Sequence, residues 1–520
     1  MTSGHTWART FSVTNDDLDF LTGLLLDRET PLTTQALTAE LVEHRLQLEA
    51  EQLSEQYRGV RLFNPTESYT VGQRVLFHAL DNAIGVVDAV RPGNNPSYPP
   101  FQVMQVSLDG ASREFAFEYP GHPLANGDEA SLILPGGHGL TASDILSAAG
   151  KELRAKIEAA LRDHADLVTM AGLWFPRDLI LEVNDGYLNL AEAVLDISAG
   201  GPLETSQILD EIGGLGSSPR ELQVFSLNDA LNRDDRFDEV GPSGKVVWFL
   251  KRLEPAEVLA TPLPLRYVPV DFEPDLLSAE MWALVEEIRD EWSDLETGLQ
   301  EGDPVAVNLI YPHRRAGTLP LNADMQTVFP TARRSPRIAF TLVDAQDGEQ
   351  FPGWVVRQDR YVFGLTPLYR KYKMPVGAVI SVRPGDEPGS VMVDFDAHRP
   401  RTEYVPIITP HDGRITFDYQ KRSIGAAYDD QMILGAEDVA AVDALFDSAQ
   451  HNRRPLPMIV NQLMHELSRS TPQGTVHAKT LYSAVNVLRR TPPAPVLAAL
   501  ANSEDFEHIG NNHWRIRARA

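Results

Sequence analysis

The stretch Ala230-Leu231-Asn232-Arg233-Asp234-Asp235-Arg236-Phe237-Asp238-Glu239-Val240-Gly241, with Trp248 beyond it, decides how this chain folds. Its spacing recurs at the C-terminus as Ala499-Leu500, Phe506, Ile509-Gly510 and Trp514. A looser copy reads Ala160-Leu161, Leu167, Met170-Ala171 and Trp174. In all three the hydrophobe lies seven residues after the alanine and the Gly or Ala eleven after it, and only the gap to the tryptophan changes. Fixed spacing followed by variable spacing predicts a helix running into a β-hairpin whose tip tolerates length changes.

A helix that feeds a hairpin is how the third helix and wing of a winged helix-turn-helix domain look in sequence. Two further helices precede it in two of the copies. In the middle copy, 185–252, Leu188 to Ile197 reads as helix one and Pro202-Leu203-Glu204-Thr205 opens helix two. Ser218-Pro219 caps helix three over 219–233, since proline suits the first helical position. In the last copy, 452–520, the three helices fall at Pro457 to Arg469, Ala478 to Arg489 and Ala494 to Ala501, with Asn511-Asn512 turning a short wing. The N-terminal copy is divided. Helices at Asp17 to Leu26 and from Thr34 to about Glu51 lie in 12–56, whereas a helix from Thr141 or Ser143 to about His164 and the hairpin lie in 137–180. Either one winged helix is split by an insertion, or 137–180 is a helical linker.

The insertion, 57–136, changes period. Val75 and Phe77, Ile84 and Val86, Val103 and Val106, and Phe115 and Phe117 alternate in short runs. Turns at Gly93-Asn94-Asn95-Pro96 and Asp109-Gly110 separate them, which predicts a small barrel of SH3-like or Tudor-like size. After the middle copy, 270–303 holds an acidic amphipathic helix (Ala279 to Leu299) with Met281, Val285, Ile288, Trp292, Leu295 and Leu299 on one face. A second β-rich region, 304–422, follows, and an acidic linker helix is expected over 423–451. The fold class is thus α+β and multidomain: winged helix-turn-helix repeats, a small SH3/Tudor-like β-barrel and a larger β-pseudobarrel.

Two resemblances sharpen this reading. The segment 187–250, with Pro202-Leu203, Leu227-Asn228, Asp234-Asp235-Arg236-Phe237 and Val240-Gly241 before Trp248, resembles the HARE-type winged helix, and 455–517 shares its pattern. That family occurs in chromatin proteins, in restriction systems and in the acidic delta subunit of bacterial RNA polymerase. The segment 318–395 is similar to a B3-type DNA-binding pseudobarrel through Leu319-Pro320, Phe329, Gly353-Trp354, Tyr361 and Gly377. Such barrels set loops and strands into the DNA major groove, in plant transcription factors and restriction-enzyme effector domains. This sequence departs from the pattern at Ala378, where an Asp is usual, so no base-reading position is carried over.

Charge divides the chain. Its 520 residues carry a net −27, yet residues 1–313 hold 21 basic and 51 acidic side chains and residues 314–520 hold 25 and 22. An acidic half joined to a mildly basic half implies a different partner for each. The middle copy's third helix bears Glu221, Asp229, Asp234 and Asp235, which repel phosphate and suit protein docking. Cations that could line a DNA backbone cluster in the C-terminal half: Arg314, Arg315, Arg333, Arg334, Arg337, Arg370, Lys371 and Lys373 in the pseudobarrel. Lys479, Arg489, Arg490, Arg515 and Arg517, with Asn511 and Asn512 at the wing tip, complete the set.

The chain has no cysteine, which excludes disulfides, thiolate zinc sites and a cysteine nucleophile. No 18-residue apolar run suggests a membrane span. His465-Glu466 lacks the second His of a zincin helix, and Gly213-Gly214-Leu215-Gly216 lacks the Lys-Ser/Thr of a phosphate loop. No catalytic set, metal site or cofactor is therefore expected. The sequence points to a non-enzymatic, cytoplasmic or nucleoid-associated DNA-binding protein of transcription, nucleoid organisation or DNA defence. It would hold duplex DNA by its C-terminal half and proteins by its acidic N-terminal half. A scaffold associated with RNA polymerase and the recognition subunit of a restriction-like system are the alternatives.

Overall fold

The computed structural model describes residues 4–56, 58–77, 80, 83–108, 110–119, 141–293, 295, 302–411, 414–471 and 473–518. The fold is mixed α+β, and no helix among these residues is long and apolar enough to cross a membrane. Two compact units form, Met1–Glu182 with Ser217–Ser226, and Val183–Gly216 with Leu227–Ala520.

Three times the chain builds the same small sheet. A short strand, the tryptophan-bearing strand and its hairpin partner associate in that order, with the tryptophan strand in the centre. Leu32–Thr33 pairs with Leu173–Pro176 and Leu167–Met170 completes the sheet. Leu203–Glu204, Val247–Leu250 and Phe237–Glu239 repeat it, as do Thr475–His477, His513–Ile516 and Phe506–Gly510. The register is conserved across the copies: Leu32, Leu203 and Val476 stand opposite Trp174, Trp248 and Trp514.

Helices precede each hairpin where the apolar periodicity places them. The middle module has Asp185–Ile197, Thr205–Ile212 and Arg220–Arg233, and the last has Leu456–Arg469, Ala478–Leu488 and Pro493–Ala501. In the first module, Asn15–Arg28 and Thr34–Gln56 share one core with Ala142–Asp163 and its hairpin. Leu21, Leu37, Leu41, Leu153, Ile157 and Trp174 all lie in that core. Thr14 and Thr141 open two of these helices with capping boxes to Asp17 and Asp144.

The indole nitrogen explains a polar residue at the edge of two of the three sheets. Trp174 Nε1 donates to Thr34 Oγ1 at 2.9 Å, two residues after its pairing partner. Trp248 Nε1 donates to Thr205 Oγ1 at 3.1 Å and to Asn228 Oδ1 at 2.9 Å. The last copy has Ala478 at the equivalent position, and the buried Trp514 Nε1 finds no partner among the described residues. Thr34→Ala is therefore expected to lower stability by about 1–3 kcal/mol, the cost of an orphaned buried donor. Thr205→Ala costs less because Asn228 still accepts; paired denaturant titrations check the order.

Between the two halves of the first module, Val60–Leu62, Arg74–Phe77, Ala83–Pro92, Gln102–Leu108 and Ala111–Phe117 form a five-stranded sheet in sequence order. Val75, Phe77, Val87, Met104, Val106 and Phe117 fill its core, whereas Val71 is exposed. Asp109 and all of 120–136 lie outside the described residues.

The second unit centres on a seven-stranded, nearly closed sheet. In spatial order its strands are Val305–Asn308, Val379–Pro384, Ser390–Phe395, Arg337–Asp344, Gln350–Val356, Tyr361–Phe363 and Thr318–Pro320. All neighbours are antiparallel except Arg337–Asp344 with Ser390–Phe395. Two short helices, Tyr311–Ala316 and Thr366–Lys371, interrupt the strands. Gly317, with φ 69°, ends the first, and a Cβ there would collide with Thr366 Oγ1. Only glycine lets the two helices approach so closely.

Three placements differ from the sequence reading. The 304–422 boundary cuts a long antiparallel hairpin, Ala397–His411 with Arg414–Ala426, that sequence did not resolve. Pro400, Pro406 and Pro410 disguise it, because proline argues against a paired strand. The acidic helix spans Ala279–Ile288 and stops at a left-handed Arg289. The linker helix begins at Val439, capped by Asp438. The middle module's hairpin packs on the chain's own barrel, where Phe249 meets Trp354 edge-on with ring centroids 5.0 Å apart.

Candidate nucleic-acid interface

The cations of the C-terminal module are mostly committed within the fold. Arg490 is fully buried, its guanidinium meeting Asp290 Oδ2 at 2.6 Å, Glu291 Oε1 at 2.9 Å and Asn486 Oδ1 at 2.8 Å. His313 Nε2 contacts Glu291 Oε2 at 3.1 Å, so the cluster gathers three distant parts of the chain. Burial pushes Asp290 up, while Arg490 and His313 overcome burial to hold Glu291 well below the carboxylate range. Arg490 therefore has no face to offer a phosphate, contrary to the sequence expectation. Arg489 is half-buried and donates to the Arg454 carbonyl at 2.9 Å.

Lys479 is likewise occupied, bridging Glu287 at 2.5 Å and Asp429 at 2.7 Å with little exposure. Helix Pro493–Ala501 carries no charged residue and is buried from Pro493 to Ala498, so it presents no recognition surface. At the wing, Arg515 is exposed and pairs with Glu507 at 2.9 Å, and the exposed Arg517 donates to the Phe506 carbonyl at 3.3 Å. Asn511 and Asn512 both adopt positive φ, and the Asn512 amide donates to Glu280 Oε1 at 2.7 Å.

Within the barrel, two further cations are committed to carboxylates. Arg337 lies between Asp238 and Glu254, donating to Asp238 Oδ2 at 2.9 Å. Burial, and then Asp238, push Glu254 up to about 8. Lys371 fills a cage of three carboxylates, at 2.9 Å from Asp344, 2.5 Å from Asp347 and 2.8 Å from Glu349. These carboxylates are close enough together to hold a metal ion, but the ammonium already sits among them. Arg333 and Arg334 lie exposed on the segment before Ser335.

The remaining four converge. Arg314 and Arg315 from the first barrel helix, Arg370 from the second and Lys373 just after it line one cavity of about 560 Å³. Arg422, from the unanticipated hairpin, is the fifth cation, and no carboxylate belongs to the lining. Arg315 pairs with Asp443 at 2.9 Å and Arg422 with Glu437 at 3.7 Å. Arg314 lies 5.5 Å over the Tyr369 ring and donates to the Met374 carbonyl at 2.5 Å. Burial, with Arg370 adding to it, pulls its pKa down. Arg370 is exposed and has no hydrogen-bond or ion-pair partner among the described residues.

The hairpin also carries Arg399, Arg401, Arg414 and Lys421, all exposed. Lys421 stands over the exposed Tyr404 ring at 5.5 Å, and Tyr419 is half exposed. Sequence reasoning passed over these residues because it read no strand there. The adjacent pair Lys421-Arg422 was the available signal. No known protein family matches the chain, and neither a curated protein nor a solved structure matches it.

Proposed function

We propose that this protein is a non-enzymatic DNA-binding protein of the winged-helix type, with a B3-like pseudobarrel as its DNA-binding core and an SH3/Tudor-like barrel as an insertion. The reading rests on one observation. Four cations chosen from sequence, on two separate segments, meet a fifth from a third segment around a single basic cavity whose lining holds no acid. Arg315 and Arg422 are paired with acids outside the lining, but Arg314, Arg370 and Lys373 have no carboxylate partner among the described residues. Phosphate binding requires such excess positive charge, with counterion release supplying the affinity. The exposed hairpin cations and Tyr404 extend the basic surface with a ring on which a base can stack. The interface accordingly moves from the C-terminal wing and helices to the barrel helices and hairpin.

A triple variant tests it. Arg370→Gln/Lys373→Gln/Lys421→Gln in the full chain is expected to flatten the salt dependence of affinity for a 5′-hydroxyl duplex. The log–log slope should fall by about 0.9 per lost contact in fluorescence anisotropy. An unchanged slope would remove this surface from the interface.

A scaffold reading has its own support. The middle module exposes Leu190 and Ile197, the latter 88% exposed, and the segment after it Leu253 and Leu259, alongside the acidic surface. Exposed apolar side chains of this kind suit a protein partner. If no duplex binds at low salt, that reading takes precedence.

A further inference from the structure

The basic cavity is the wrong shape for the outside of a double helix. It is concave, and its cations surround an apolar wall formed by Val376, Val405, Ile407 and Leu434. Its volume of about 560 Å³ falls in the roughly 300–1,000 Å³ range of small-ligand pockets. A duplex backbone would touch only the rim, whereas a small phosphorylated molecule would fit inside.

Two side chains in the wall lack a polar partner among the described residues, and a third, Arg314, is held by the Met374 carbonyl and the Tyr369 ring but has no counter-ion. Arg314 is largely buried, faces another arginine and has no carboxylate partner. Arg370 has no partner among the described residues. Tyr311, only 5% exposed, keeps a buried hydroxyl with no hydrogen-bond partner among the described residues. Two guanidinium groups and a phenol that together face an acid-free space match the oxygens of a dianionic phosphate, which accepts charge-assisted bonds from arginine forks.

We propose that this cavity binds a terminal phosphate, a phosphate monoester carried on an apolar or aromatic body of nucleoside size. The phosphate sits between Arg314, Arg370 and Lys373, Tyr311 donates its hydroxyl, and the body lies on the apolar wall. The proposal shares cations with the DNA surface and deepens it, but concerns the inside of the cavity rather than its rim. The shared chemistry has two sources, a free nucleotide and the 5′-phosphorylated end of a strand.

Calorimetric titration of the full chain with dAMP, deoxyadenosine and inorganic phosphate tests the idea, alongside anisotropy with 5′-phosphorylated and 5′-hydroxyl oligonucleotides. dAMP is expected to bind and deoxyadenosine to fail. Arg370→Gln/Lys373→Gln should weaken dAMP by about tenfold or more, and Tyr311→Phe by about threefold, with melting temperatures recorded for both. Arg370 and Lys373 are both exposed, so the first variant is expected to melt with the wild type, and a loss of binding at an unchanged melting temperature is not unfolding. A 5′-phosphorylated oligonucleotide binding about tenfold tighter than its 5′-hydroxyl twin identifies the strand end as ligand, and dAMP binding without that difference identifies the free nucleotide.

Equal binding of dAMP and deoxyadenosine, or of dAMP to protein and double variant, overturns the proposal. So does duplex binding that depends on these cations while neither dAMP nor a 5′-phosphate is recognised, an outcome that leaves the DNA reading standing. Binding of dAMP with no duplex affinity at any salt does the reverse.

Discussion

Arg490→Met is expected to lower stability by about 3–5 kcal/mol, because it strands Asp290 and Glu291 in the interior without their counter-charge. All three are 3% exposed or less, so water cannot compensate. The loss should be recovered in large part by the triple change Asp290→Asn/Glu291→Gln/Arg490→Met, since a neutral buried cluster avoids desolvating any ion. Urea titration of wild type, single and triple variants measures both steps. A single variant as stable as wild type would show that the cluster does not bind the acidic segment, the barrel helix and the last module together. The salt slope of DNA affinity, in contrast, should not respond to Arg490 in any variant that remains folded, because its guanidinium is fully enclosed.

Trp248→Ala is expected to cost a similar amount, about 3–5 kcal/mol, from the loss of a large buried side chain and the cavity left behind. The indole is 1% exposed and sits on the central strand of its sheet. Its Nε1 also ties Thr205 to Asn228, so two helices lose a shared partner with it. Trp248→Phe separates the terms, keeping most of the packing and losing only the donor, at about 1–2 kcal/mol. If both variants melt with the wild type, the tryptophan does not organise the module. If both fall equally, the hydrogen bonds outweigh the packing.

The elements legible in sequence are those whose signals are local. The helix expected over 219–233 lies at Arg220–Arg233, and the one expected at Ala494 to Ala501 lies at Pro493–Ala501, because period and capping act over a few residues. The long hairpin escaped, since three prolines mask an alternation that tertiary pairing nevertheless stabilises. Charges were least legible. An arginine's role depends on which carboxylate reaches it, and Arg490 meets an aspartate 200 residues away. Lys371 and Lys479 looked as available as Arg370, yet carboxylates within 3 Å occupy the first two. Arg370 differs only through tertiary neighbours that spacing does not encode.

The inserted five-stranded sheet has a consequence for the order of events at the ribosome. Leu32 pairs with Trp174, 142 residues later, so the first module stays unfinished until the insertion has been made. At roughly 5–20 residues per second, Leu32 waits about 7–28 s for Trp174, and for much of that time the apolar faces of the two leading helices are unburied. Closing so distant a contact is slow by its topology, and an interval of exposed Leu21, Leu37 and Leu41 is when a nascent chain is most open to aggregation and to chaperone capture.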